Sequence, residues 1–286
     1  MAERAAVERR LNRLVADNRF TIAVFFPLVG AVTLLASAER VLIPEPLVFQ
    51  PLFVLFGTIV MRLPLIVGLL PLVGRRAAAA IGLLTLYAYA VEYVGTTTGV
   101  PYGVFEYGVD LGPMLLGKVP LGLPIFFLPL VANAYLLCLL LLGDRARSVL
   151  VRVPVVIATV LLMDLALDPG AVAIGFWTYD LAAAPLQMWP YDASVGFYGV
   201  PLSNYAGWVL SATVAVVTLD RAFAWTDLRA RLTDCAFMLD DLVSFVLLWG
   251  LINAVYGQWL AVGLAGVLGV GLWRTDRFDV PPPPWL

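Results

Sequence analysis

Eight times along the chain an apolar run appears that is of bilayer-spanning character, and no soluble fold accommodates that pattern. The runs cover 21–38, 47–73, 77–94, 119–142, 153–167, 200–219, 236–251 and 258–273. A large soluble core would still need a charged shell, and soluble domains carry about a quarter charged residues. Here 13% of 286 residues are charged and 62% are hydrophobic. The fold class expected is therefore all-α: a polytopic transmembrane bundle of about eight spans in a single integral membrane domain, 1–286. Arg62 and Pro64 interrupt the second run, which reads either as one kinked span or as a span followed by a re-entrant piece.

Charge placement sets the orientation. With a cytoplasmic N-terminus, 15 of the 18 basic residues fall in inside segments; Arg40 and Lys118 lie outside and Arg62 lies within a span. That bias predicts a multi-pass cell-membrane protein with both termini cytoplasmic. Residues 1–20 mix acids with arginines and lack a small-residue cleavage site, so they read as a cytoplasmic amphipathic segment and not a signal peptide. Two long loops, 95–118 and 168–199, then face outward. Both are rich in glycine, proline and aromatic residues, a composition expected to fold back over the bundle.

Several chemistries are excluded at once. The chain has no histidine, which removes Ser-His-Asp triads, Cys-His pairs and histidine-ligated metals. Cys138 and Cys235 are isolated, so neither a disulfide framework nor a thiolate metal site is indicated. Basic residues are too few and too dispersed for nucleic acid.

An internal echo marks the middle of the chain. Glu92 is followed 11 residues later by Gly-Val-Phe-Glu-Tyr, Gly103 to Tyr107, and then by Val119-Pro120-Leu121. Asp164 is followed 11 residues later by Gly-Phe-Trp-Thr-Tyr, Gly175 to Tyr179, and then by Val200-Pro201-Leu202. The shared order is an acid, Gly-x-aromatic-x-Tyr and Val-Pro-Leu, which predicts parallel repeat units at 77–142 and 153–219. Such repeats would set Glu92 and Asp164 facing one another across a pseudo-axis.

Five acids fall in or at the ends of spans: Glu92, Asp164, Asp168, Asp240 and Asp241. A carboxylate at bilayer depth is expensive unless protonated, paired or wetted, so each is a functional candidate. Asp240 and Asp241 lie near a span end, where a structural role at the interface is expected. Asp164 and Asp168 are four apart and share a helix face, although Asp168 precedes Pro169 and can equally terminate the helix. Two carboxyls held together away from water cannot both ionise easily, which leaves one able to deliver a proton. Arg62 and Lys118 are the basic residues available to neutralise them.

These residues resemble a known family. Glu92-Tyr93-x-Gly95, Gly99-x-Pro101-Tyr102-Gly103, Tyr107, Leu111-Gly112-Pro113 and Val119-Pro120-Leu121 are similar to a first block of the membrane carotenoid hydratases of the CruF type. Asp164-Leu165-x-Leu167-Asp168-Pro169, Gly175-x-Trp177-x-Tyr179, Tyr198-Gly199-Val200-Pro201-Leu202-x-Asn204 and Gly207-Trp208 resemble a second. The similarity covers roughly residues 80–220. It implies addition of water to terminal prenyl double bonds of an acyclic carotenoid: bisanhydrobacterioruberin, giving bacterioruberin, in the haloarchaeal branch, and a lycopene- or γ-carotene-type end group in the bacterial branch.

Alkene hydration requires neither metal nor redox cofactor, and none is expected. A protonated carboxyl delivers H⁺ to the less substituted carbon, and water activated by a second carboxylate captures the tertiary cation. Asp164 and Asp168 suit the pair, with Glu92 an alternative partner in either role. Tyr93, Tyr102, Tyr107, Trp177, Tyr179 and Trp208 are expected to bind substrate, four of them (Tyr107, Trp177, Tyr179 and Trp208) offering ring faces to the cation, and Asn204 to position water. The expected partners are a lipid-soluble polyene, water and membrane lipids, with other carotenoid-pathway membrane enzymes as neighbours. Three alternatives remain open. A lycopene-type cyclase starts from the same protonated alkene. In a membrane prenyltransferase, Asp164-x-x-x-Asp168 would form half of a magnesium–diphosphate site whose other half is missing. A small proton-coupled transporter would use the acids as a relay.

Overall fold

The computed structural model describes residues 2–183, 196–224 and 226–282. Helix α1 (Ala2–Asp17) leads through a π turn over Thr21–Phe25 into α2 (Phe26–Ala38). There follow α3 (Pro51–Leu69), α4 (Arg75–Thr98), α5 (Leu123–Leu142), α6 (Val149–Ala173), α7 (Leu202–Phe223), the short α8 (Leu228–Asp234), α9 (Asp240–Val255) and α10 (Trp259–Arg274). Six helices, α2 to α7, are long and apolar enough to cross a membrane, which makes this an all-α membrane protein. The last two of the eight expected spans appear as the shorter α9 and α10, of 16 residues each.

Local sequence explains the helix boundaries. The Gln50 side chain accepts from Phe53 N–H at 3.0 Å and Pro51 occupies the first turn, so α3 starts there and not at residue 47. It then runs unbroken through Pro64. The second apolar run is thus one helix, and the re-entrant alternative falls away. Gly99, at φ 76°, ends α4 in the left-handed conformation that glycine adopts without strain. Helix α6 likewise continues through Pro169 to Ala173, so Asp168 does not terminate it and remains on the face it shares with Asp164.

Hydrogen bonds sort the connections onto two ends of the bundle. At one end Arg4 donates to the Leu70 carbonyl, Arg231 to the Gly68 carbonyl and Asn12, and Arg277 to the Leu232 and Cys235 carbonyls. At the other, Tyr256 donates to Glu39 and the two long loops gather. There β1 (Phe105–Tyr107) pairs antiparallel with β4 (Trp177–Tyr179), and β2 (Met114–Leu115) with β3 (Val119–Pro120). The described parts of both loops therefore fold back on the bundle; residues 184–195 of the second loop lie outside the described residues. The β1–β4 register is Phe105↔Tyr179, Glu106↔Thr178 and Tyr107↔Trp177. The two Gly-x-aromatic-x-Tyr segments thus pair with each other, the middle aromatic of each opposite the tyrosine of the other.

Helix α9 is the post around which the others pack. It is largely apolar, is buried on several sides and touches α2, α3, α6 and α10. Its two aspartates do not reach an interface as expected; both are fully buried. Asp240 accepts from Arg19 Nε at 2.7 Å and Nη2 at 2.8 Å. Asp241 is ion-paired with Arg62 and accepts from Asn133 Nδ2 at 2.7 Å. Arg62 is therefore committed to α9, and Lys118 is exposed, so neither expected cation reaches Asp164 or Asp168. A further acid, Asp220 of α7, accepts from Arg152 at 2.6 and 2.9 Å and from Tyr135 at 2.7 Å.

Removing one member of a buried ion pair leaves the other charge uncompensated, whereas removing both need not. Arg62→Met should lower unfolding stability in detergent by about 3–5 kcal/mol, and the double variant with Asp241→Leu should recover most of that loss.

Candidate active site

Five helices and one strand pair converge on a cavity of about 130 Å³ just below the looped end. Helix α4 contributes Glu92, α6 contributes Asp164 and Asp168, and α7 contributes Asn204 and Trp208. The strand pair closes the top with Tyr107, Trp177 and Tyr179, and α5 and α9 supply Phe127 and Trp249. The rest of the wall is aliphatic or aromatic, so the three carboxyls face an apolar chamber.

Helical spacing places the acids. Asp164 and Asp168 stand one turn apart on α6, 0% and 4% exposed, and Asn204 of α7 bridges them. Its Nδ2 donates to Asp164 Oδ2 at 3.2 Å and to Asp168 Oδ2. The other Asp164 oxygen, Oδ1, is buried with no hydrogen-bond partner among the described residues. Asp168 and the Tyr179 ring share the cavity wall. Across the cavity Tyr107 donates to Glu92 Oε1. None of the ion pairs among the described residues includes Glu92, Asp164 or Asp168. Their partners are neutral donors only.

The tyrosines are held as donors. Burial pushes the Tyr107 phenol well above its ordinary range, and Glu92 beside it pushes the same way. Tyr179 is raised by burial first and then by Asp168, Asp164 and Glu92. Tyr102 is raised chiefly by burial and then by Glu92. All three therefore keep their protons at any physiological pH.

Tyr102 occupies the flank of the cavity. Its hydroxyl meets Ser211 Oγ at 2.6 Å, and its ring lies 6.3 Å from Trp208, which in turn stacks on Phe127 at 5.6 Å. The chain before Tyr102 passes so close to α7 that a Cβ at Gly207 would sit 2.6 Å from the Tyr102 ring and 3.0 Å from the Pro101 backbone. Only glycine allows that approach.

Nine of the ten expected site residues meet here: Glu92, Asp164, Asp168, Tyr102, Tyr107, Trp177, Tyr179, Asn204 and Trp208. Tyr93 does not. It follows Glu92 on α4, about 100° further round the helix, and is 38% exposed on the outer face. Glu106 and Asp110 are exposed and stay out of the cavity. The sequence reading passed over Phe105, Phe126, Phe127, Phe176 and Trp249, all of which form wall. Phe105 carries the signal of the repeated motif, whereas Trp249 comes from α9, where a largely apolar pattern hides which face turns inward. Tyr205, whose buried hydroxyl has no partner among the described residues, was also missed.

An acid cluster without cations, roofed by aromatic rings and set among membrane helices, defines a site for proton chemistry on an apolar molecule. The chain belongs to the family of carotenoid biosynthesis proteins, whose sequence pattern matches residues 49–272 and so includes every residue of the cavity wall. At closer range it is 63% identical over 270 residues to the bisanhydrobacterioruberin hydratase of Haloarcula japonica, a match covering 94% of this chain and 87% of that one. No solved structure matches the chain.

Two substitutions test the geometry. Tyr107→Phe removes a donor to a buried carboxyl, and such bonds contribute about 1.5–3 kcal/mol. Turnover should fall roughly ten- to hundredfold, and the unfolding midpoint should drop by a few degrees because a buried acceptor loses its donor. Gly207→Ala should push Tyr102 out of place, lowering stability by about 1–3 kcal/mol and turnover with it.

Proposed function

We propose that this protein is a carotenoid hydratase that adds water to the terminal prenyl double bonds of an acyclic carotenoid, taking bisanhydrobacterioruberin to bacterioruberin. The observation that carries the reading is the pairing of two carboxyls, Asp164 and Asp168, through one amide, with Asp164 Oδ1 left free in an apolar chamber. The name of the 63% identical relative supplies the substrate.

The two carboxyls have different surroundings, which divides their labour. Asp168 accepts from Asn204, a donor suited to a carboxylate, and shares the cavity wall with Tyr179. Asp164 has one oxygen without a partner, where a carboxylic O–H can point at the substrate. In the reaction Asp164 delivers H⁺ to the less substituted alkene carbon, and the π electrons of the double bond form the new C–H bond. The positive charge left on the tertiary carbon is held by the faces of Trp177, Tyr179, Tyr107 and Trp208. Water, oriented by Asn204 and relieved of a proton by Asp168, attacks the cation and forms the C–O bond. The proton then returns to Asp164, so the net change is addition of one water. Glu92, held by Tyr107, is the remaining acid and takes the place of Asp168 if the alkene lies toward α4.

The same reading places the protein in the cell membrane with both termini cytoplasmic, supported by the 15 basic residues that cluster with them. The looped end and its cavity then face outward, beside other membrane enzymes of carotenoid synthesis. Residues 77–142 and 153–219 are read as two copies of one unit, supported by the mutual pairing of their Gly-x-aromatic-x-Tyr segments.

The test is the mass of pigments from a host that makes the acyclic carotenoid, with and without this chain. Products heavier by one or two waters are expected, and Asp164→Asn should reduce their formation by roughly a hundred- to ten-thousandfold while leaving the fold intact. New pigments of unchanged mass would mean cyclisation instead.

A further inference from the structure

A second cavity, of about 320 Å³, lies between α2 and α3. It shares a wall with the acid cavity: Phe126, Leu130, Leu167, Phe176 and Trp249 border both. Along α3 it runs from Gln50 to Arg62, about 18 Å at the helical rise per residue. A space of that length and narrowness suits an extended rod better than a compact ligand.

Its two ends differ. Val29 of α2 and Phe53 and Phe56 of α3 line it while being 47%, 61% and 60% exposed, so it opens sideways where lipid surrounds the bundle. The inner end is closed by Arg62 and Asn133, both buried and both bonded to Asp241. An apolar chain gains nothing by pressing past that charged floor. The acid cavity itself is smaller than the roughly 300–1,000 Å³ of pockets that enclose a whole small ligand. It has room for one branched end of a long molecule, and the rest must continue through an adjoining apolar space.

We infer that the α2–α3 cavity is the chain subsite of the enzyme: the polyene stem enters from the bilayer between α2 and α3, lies along α3, and presents its end to Asp164 across the shared aromatic wall. The hydratase reading supplies the polyene as occupant; the position and shape of the subsite do not depend on it. The subsite also gives α2 a role, since that helix contributes nothing to the acid cavity.

Gly57 of α3 provides the test. It lines the second cavity, and a Cβ built there meets nothing within 4 Å, so a larger side chain grows into the open groove. Gly82 of α4 is equally unobstructed but borders neither cavity, and serves as the control. The full-length protein would be given bisanhydrobacterioruberin in detergent, the pigment retained per protein read from visible absorption, and water addition read by mass. Gly57→Leu and Gly57→Trp should lower retention in order of side-chain size, the larger at least about tenfold (on the order of 1.4 kcal/mol), and raise KM more than they lower kcat. Gly82→Trp should behave as wild type. Size exclusion and the melting temperature identify any variant that misfolds, and Gly57→Leu carries the test if the tryptophan is not accommodated. Wild-type retention and KM in a folded Gly57→Trp would overturn the subsite, leaving the groove to a membrane lipid, and would do so even if water addition proceeds normally. Pigment lost in the Gly57 variants but never hydrated by wild type would sink the hydratase reading and keep the subsite.

Discussion

Burying a carboxyl in a membrane protein is tolerated only with a partner, and the structure solves that problem in two ways. Asp220, Asp240 and Asp241 each receive an arginine, from α6, from the segment joining α1 to α2 and from α3 respectively. Those pairs tie distant segments together and leave nothing over for chemistry. Glu92, Asp164 and Asp168 receive tyrosine and asparagine donors instead. An arginine there would lock the carboxyls in their ionised form and stop them handing over a proton. Everything else about the site, from the helix spacing of the acids to the strand pair that brings in the tyrosines, serves to hold charge-competent groups together without a fixed countercharge.

The environment of that cluster also decides what can react there. Rings and aliphatic side chains make up the remaining wall, so a proton released into the cavity has few basic acceptors besides the substrate and the carboxyls themselves. A carbocation formed there meets aromatic faces, which stabilise it without adding to it. On the proposed mechanism, the oxygen that captures the cation comes from a water that Asn204 orients. The difference between hydrating an alkene and cyclising it is then the presence of one ordered water, so in that mechanism Asn204 bears on the product as the acids bear on the rate.

Much of this was legible in the sequence because membranes impose simple rules. Length of apolar runs marked the helices, and the scarcity of buried acids singled out Glu92, Asp164 and Asp168 before any geometry was known. The repeated Gly-x-aromatic-x-Tyr segments pointed to Tyr107 and Tyr179, although not to the fact that they pair with each other. What stayed hidden depends on rotation about a helix axis and on distant partners. Tyr93 sits beside an inward acid and so points away from it, and Trp249 lies on a helix buried on several sides, where apolar residues recur without a single exposed face to mark the inward one. Asp240 and Asp241 looked like residues reaching for the interface because their arginines are 221 and 179 positions away. Such pairings have no local signature.

The strand pair joins two segments that look alike, yet the chain around them differs at many positions, and two of those differences fall in the cavity wall. Aligned on those segments and on the Val-Pro-Leu triplets, Asp168 stands where the first half has Thr96, and Asn204 where it has Leu123. On the proposed mechanism, the more stable cation decides which carbon takes the proton. The second acid and the amide, standing on one side only, decide which face the water approaches, so stereochemistry is written into the departure from symmetry.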